Sequence, residues 1–320
     1  MAGSATHRLY LSAAVVAGII AIALAAPLLP LADPVKMDVP ARLALPSSAH
    51  WLGQDEYGRD VLSRVIWGAR VSLAVAFLSA MFAGVIGTTL GLLGGYARGL
   101  VELLTVRSTE AIVSFPPILL ALLVVTLMGP GAVTLVVALT ILYAPGYTRV
   151  AFAATLATRG LDYVTAQEAL GARPARILTR TILPNVAPPL LVQFSLTVAA
   201  AMVLESGLSF LGLGVVPPAP SWGLMIRGAR STMEQAPWLL LWPCAALTGT
   251  ILTFILAMNA YATPFLLGGP LFKMMAPVIY NEFTQKTNWP FGGAIAFILM
   301  SVTLGLTLLA NAILQRRRTR

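Results

Sequence analysis

Few residues in this sequence are suited to chemistry. The strongest candidate is Glu205, a carboxylate in a long apolar run, with Ser206 and Ser209 beside it. An ionisable group in such a run is costly and often functional; here its carboxylate is suited to meet an amino group or a cation. The plainer alternative is a carboxylate near a membrane surface, satisfied by the neighbouring hydroxyls and water. Arg149, in another apolar run, reads as a side chain whose stem lets its charge reach the headgroups. His7 and His50 lie far apart and neither has metal-ligand spacing around it. Cys244 is the only cysteine, which excludes an internal disulfide and a multi-cysteine metal site. No Gly-Lys dipeptide occurs, so the chain has no phosphate-binding loop of that type. No nucleophile has a base in supporting context. The expectation is a chain without catalytic residues, cofactor or metal.

Composition explains why the chemistry is sparse. Of 320 residues, 58% are hydrophobic and 10% charged, and mean hydropathy is +0.84. A soluble domain carries about 25% charged residues, so this chain reads as a multi-pass membrane protein. About 20 apolar residues span a bilayer. The net charge of +9 fits basic residues held on the cytoplasmic side of a membrane better than nucleic-acid binding.

The expected fold is an all-α bundle of about six spans with one extra C-terminal apolar run. The first run, 9–32, is preceded by His7 and Arg8. Ala23-Leu24-Ala25 resembles a cleavage site, but a signal peptide's apolar region is about 7–15 residues. Residues 1–32 therefore read as an uncleaved anchor, N-terminus inside. Residues 33–70 read as a solvated outer segment, rich in charge and interrupted by Pro34, Pro40 and Pro46, ending in a short interfacial helix over 58–70. A membrane core spans 71–258, with crossings near 71–96, 111–128, 132–152, 190–211 and 238–258. Gly84, Gly87, Gly91 and Gly95 form a small-residue stripe on the second run, which lets another helix approach closely.

The least apolar interior stretch is 153–189. It holds Arg159, Arg173, Arg176 and Arg180 against Asp162 and Glu168, which marks it as cytoplasmic. Its sequence predicts a helix over 161–170 closed by Gly171, then a second over 175–183, opened by Pro174 and ended by Pro184. Two short helices at an angle make an exposed knob. A basic loop that only sets topology is the alternative.

This segment resembles the coupling loop of ATP-binding-cassette importer permeases. Their pattern is Glu-Ala-Ala, three residues, Gly, nine residues, then Ile-x-Leu-Pro. Here Thr165, Ala166 and Gln167 stand at the first three positions, followed by Gly171 and by Thr181-Ile182-Leu183-Pro184. Ala166, Gly171, Leu183 and Pro184 match; Thr165, Gln167 and Thr181 depart. The resemblance implies that the loop, with Glu168 and Ala172 beside the matched positions, docks on an ATPase subunit. The stretches from His50 to Arg70 and from Leu208 to Gly223 look like the dipeptide/oligopeptide/nickel branch of that family over about residues 1–247. The resemblance implies a bacterial inner-membrane importer with a second permease subunit as heterodimer partner, two ATPase subunits that bind the ATP, an extracytoplasmic solute-binding protein and surrounding lipid.

Residues 259–320 are of different resemblance. Ala260 to Pro270 and Asn288 to Gly292 look like spermidine/putrescine-type permeases of the same class. Counting crossings from an inside N-terminus leaves Arg316, Arg317, Arg318 and Arg320 outside, against the positive-inside tendency. Polyamine import and a non-functional fused chain are therefore alternatives to peptide or nickel import. A membrane scaffold or intramembrane enzyme is the alternative from another class.

Overall fold

A computed structural model describes residues 14–259 apart from 16 and 98, and no side chains within 255–259. The first half of the anchor and the C-terminal extension from 260 onward lie outside the described residues, as does the resemblance to polyamine permeases built on them.

The described residues are helical, joined by turns. α1 (Ala17–Leu28) is the described part of the first run. α2 (Val61–Tyr96), α5 (Ala132–Arg159) and the continuous helical stretch Pro174–Leu211 are each long and apolar enough to cross a membrane. Within that last stretch, α7 (Pro174–Ile177) passes through a π-helical turn, Leu178–Ile182, into α8 (Leu183–Leu211). Before it comes α6 (Asp162–Ala169). After it come α9 (Trp222–Ser231) and α10 (Trp238–Asn259), the latter apolar and without charge. Many hydroxyls on these helices donate to the carbonyl four residues back, as Ser79, Thr126 and Thr148 do. That satisfies them in a medium without water.

Three expectations change. Residues 58–70 do not form a separate interfacial helix. Asp60 caps the helix by accepting from the Ser63 amide at 2.7 Å, and the helix then runs unbroken to Tyr96, because nothing in 61–71 breaks it. The expected third span, 111–128, is also different. α3 (Leu100–Val113) and α4 (Pro117–Met128) meet at a 92° bend. Pro116 is extended (φ −58°, ψ 132°) and is followed by another proline, which ends the α3 direction. The charges at 102, 107 and 110 lie on α3, and Arg107 pairs with Glu110 across one turn. With 12 residues, α4 is only about 18 Å long, short of the bilayer core of about 30 Å. The segment after α8 holds α9, begun by the Ser221 side chain accepting from the Leu224 amide.

The segment 33–60 is not simply solvated. It folds back onto α2, α9 and α10 as a cap. Asp55, Arg59, Asp60 and Arg64 are buried. Asp55 is the hub: it accepts from Arg59 Nε at 2.7 Å, lies 3.3 Å from Arg64 Nε, and takes the Tyr57 and Arg59 amides at 2.9 and 3.0 Å. Arg64 also donates to the Pro34 carbonyl. Counting charges overlooked this because acids and bases that neutralise one another can be buried together. Beneath the cap, Val61, Ala229, Ala236 and Leu239 pack with Leu52, Met225 and Trp238.

The tightest seam is between α2 and α5. A Cβ at Gly91 would stand 2.5 Å from Ala151 Cβ and 2.6 Å from Thr148 O, and one at Gly95 would stand 2.8 Å from Thr155 Cβ. The glycine stripe on α2 thus marks where the backbones meet.

Two predictions follow from these contacts. Asp55→Asn leaves buried Arg64 without a carboxylate and Arg59 with only its 3.5 Å contact to Glu56, at about 3–5 kcal/mol; limited proteolysis should cut within 33–60 faster than in wild type. Gly91→Val wedges α2 away from α5 at about 1–3 kcal/mol; the thermal midpoint in detergent should fall, and an unchanged midpoint would contradict the seam.

Candidate functional site

The knob is built from short-range signals. α6 ends in a Schellman motif: the Ala172 amide donates to Gln167 O, and the Gly171 amide to Glu168 O, both at 3.0 Å. Gly171 has φ +78°, a conformation that favours glycine. Pro174 then occupies the first turn of α7, as the sequence predicts. Pro184 does not end the second helix. It sits in the first turn of α8, just after the π turn. A proline ring crowds the carbonyl four residues earlier, here Arg180, and the wider turn there makes room. The chain therefore passes from knob to long helix without a hinge loop.

Local folding does not explain what holds the knob in place. Val164, Ile177 and Ile182 are fully buried, with Ala151 of α5 and Val186 of α8, and Leu92, Tyr96 and Ala154 pack around them. Polar ties add direction. The Thr181 hydroxyl donates to Gln167 Oε1 at 2.9 Å, joining the two arms. Tyr96, the last residue of α2, donates its hydroxyl to Glu168 at 2.7 Å. Arg159 at the end of α5 donates to Tyr96 O at 2.8 Å and Gly95 O at 3.3 Å, placing a cation on the carbonyl end of α2. The knob is thus fixed to three long helices.

The outer face of the knob is open. Thr165, Ala166, Glu168, Gly171 and Pro184 are exposed, and Gln167, Ala172 and Leu183 are half-buried. Leu170, at the tip, is 87% exposed. Nothing lies within 4 Å of where a Cβ would stand on Gly171, so strain rather than space restricts that position. Leu170 was not singled out from sequence, though its place just before the closing glycine is a usable signal. Tyr96 and Arg159 carry no such signal, because Tyr96 and its partner Glu168 are 72 residues apart.

Near the other end of α8, Glu205 and Ser209 have no exposed surface and Ser206 is 4% exposed. The Ser209 hydroxyl donates to Glu205 Oε1 at 2.9 Å, and the Ser206 hydroxyl lies 3.2 Å from Oε2. Ser72 of α2 and Ser221, the cap of α9, add two more hydroxyls beside the carboxylate. Ser72 also accepts from the Trp222 amide. The three candidate residues are therefore together, in a hydroxyl cage where α2, α8 and α9 meet, and not on an open surface. α8 ends three residues beyond Ser209 at Gly212 (φ +84°), again in a Schellman turn. Among the described residues no group of three or more His, Cys, Asp or Glu is placed to hold a metal.

Comparison with known proteins gives this architecture its family. Residues 87–242 match the family described as the binding-protein-dependent transport system inner membrane component. The chain is similar to the glutathione transport system permease protein GsiD of Pectobacterium atrosepticum, 42% identical over 65% of this chain and 69% of that protein. It is similar to the dipeptide transport system permease protein DppC of Alkalihalophilus pseudofirmus, 35% identical over 75% of this chain and 79% of that one. It also resembles the di/tripeptide permease DppC of Pseudomonas aeruginosa, 38% identical over 72% and 73%. A solved structure of the MetNI methionine ABC transporter, in inward-facing conformations, shares the fold, with a TM-score of 0.51 at 21% identity, over 63% of this chain and 95% of that chain. Members of this family are transport permeases, not enzymes, and they work with ATPase and binding-protein partners. With long apolar helices, a knob clamped to three of them and relatives covered over most of their length, the chain belongs to the inner-membrane permease family of ATP-binding-cassette importers.

Proposed function

We propose that this permease forms half of the membrane path for di- or oligopeptides and takes its mechanical input through the knob at 162–184. Three similar permeases are named for glutathione, dipeptides or di/tripeptides, which supports peptides as the substrate class. The proposed assembly pairs this chain with a second, different permease subunit, two ATPase subunits and an extracytoplasmic solute-binding protein. The N-terminus and the knob face the cytoplasm, in keeping with the arginines at 159, 173, 176 and 180.

One observation carries the mechanical part: Leu170 stands exposed on a knob whose buried side is bound to α2, α5 and α8. An apolar tip in water suits an interface, and a rigid mount transmits displacement. Closure of the ATPase pair on nucleotide would move the knob, and α5 and α8 would carry that motion to the path, biasing it between outward-open and inward-open states. Thr165, Ala166, Gln167, Glu168, Gly171, Ala172, Leu183 and Pro184 shape the docking surface or its support. Glu205, with Ser206 and Ser209, is read as a path element whose cage must open for a substrate amino group to reach it.

Three variants test the docking role. Leu170→Asp and Gly171→Val should each reduce peptide uptake by about tenfold or more, the loss corresponding to 1.4 kcal/mol or more at the interface, and should lower ATPase copurification while the chain stays in the membrane. Gly171→Asn should be milder, since asparagine tolerates the left-handed conformation. Normal uptake and copurification in Leu170→Asp would refute the docking role. Thr181→Val should lower peptide transported per ATP hydrolysed without releasing the ATPase, because it cuts the tie to Gln167 and leaves the tip intact.

A further inference from the structure

A cavity of about 590 Å³ opens between the cap, the Pro217-Pro218 turn and α9, at the end of α8 away from the knob. That volume lies within the range of about 300–1,000 Å³ usual for small-molecule sites. Met37, Leu224, Met225 and Leu239 provide apolar wall. Five charged side chains also line it, and they differ in how they are used. Asp55, Arg59 and Arg64 are buried and spent on one another. Glu56 has only a loose contact, 3.5 Å to Arg59. Arg227 is exposed and has no carboxylate within 4.0 Å among the described residues.

Both of these charges line the cavity. A Cβ on Gly228 would stand 2.7 Å from Glu56 Oε1, so the carboxylate lies against the backbone of the residue that follows Arg227. The Arg227 guanidinium instead lies against the backbone of Gly212 at the end of α8, so the two charges stand unbridged to each other while both line one cavity. We propose that the cavity binds a small zwitterion, its ammonium group on Glu56 and its carboxylate on Arg227. A simple anion would be repelled by Glu56 and a simple cation by Arg227. A molecule carrying both groups gains a charge-assisted hydrogen bond at each end. Gly228 is the specificity position, because any side chain there displaces Glu56. A short peptide with free termini has the required chemistry. That choice of ligand rests on the function proposed above, whereas the site rests on the cavity and its two charges.

The test uses the full importer complex in lipid nanodiscs, with Cys244→Ala and a reporter, Ser231→Cys, on the cavity wall. Maleimide labelling of the reporter is timed with alanyl-alanine, with its N-acetyl form and with its C-terminal amide. The free dipeptide should slow labelling, and each blocked form should need about tenfold more peptide for the same effect, the loss expected for one charge-assisted hydrogen bond. Glu56→Gln and Arg227→Ala should each weaken protection by the free dipeptide similarly, measured against each variant's own unprotected rate. Equal protection by free and blocked peptides, or none by any, overturns the site. Uptake of alanyl-alanine by the same complex is measured separately. Protection without uptake upholds the site and removes the peptide-import reading; uptake without protection removes the site and leaves that reading standing.

Discussion

The α2–α5 seam is the constraint on which the rest of the chain depends. In a bilayer, lipid tails solvate a helix as well as another apolar helix does, so helices associate through close packing and not through expulsion of water. Gly91 and Gly95 allow this by leaving no Cβ between the backbones. The seam sets the separation of the two helix ends that receive the knob. Arg159 closes it at the C-terminal end of both helices by bonding the last carbonyls of α2. Every polar tie of the knob to α2 and α5 presupposes that spacing.

α8 joins two polar assemblies of different kinds. At its start the π turn and Pro184 continue the knob into the helix. Near its finish Glu205 holds together hydroxyls from α2, α8 and the start of α9. Between them lie Pro188 and Pro189, whose missing amides leave local carbonyls free and soften the helix near the knob. Bending is therefore easiest close to the knob, and the far end is pinned by its cage and by the cap beside it.

What was legible in the sequence was local. Gly171 closing α6, Pro174 opening α7 and the small-residue stripe on α2 each follow from a few adjacent residues and recur in the structure. Pro184 was misread as a stop because a proline's place relative to a π turn is not visible in a one-dimensional pattern. The bend at Pro116-Pro117 was misjudged for a related reason: the apolar run continues across it, and hydropathy has no direction. The cap went unrecognised because charge counts do not say which acid meets which base. Likewise Thr165, Gln167 and Thr181 looked like three separate departures from a family pattern. Two of them proved to be bonded to each other.

Leu170 has a consequence for the life of the chain before assembly. A leucine 87% exposed at the tip of the knob would be covered by the ATPase in the proposed complex. A permease made in excess of its motor would display the bare tip, and uncovered apolar surface is what chaperones and proteases recognise. The side chain proposed to receive force in the complete importer would then help mark the orphan subunit for removal, tying permease abundance to the supply of its partner.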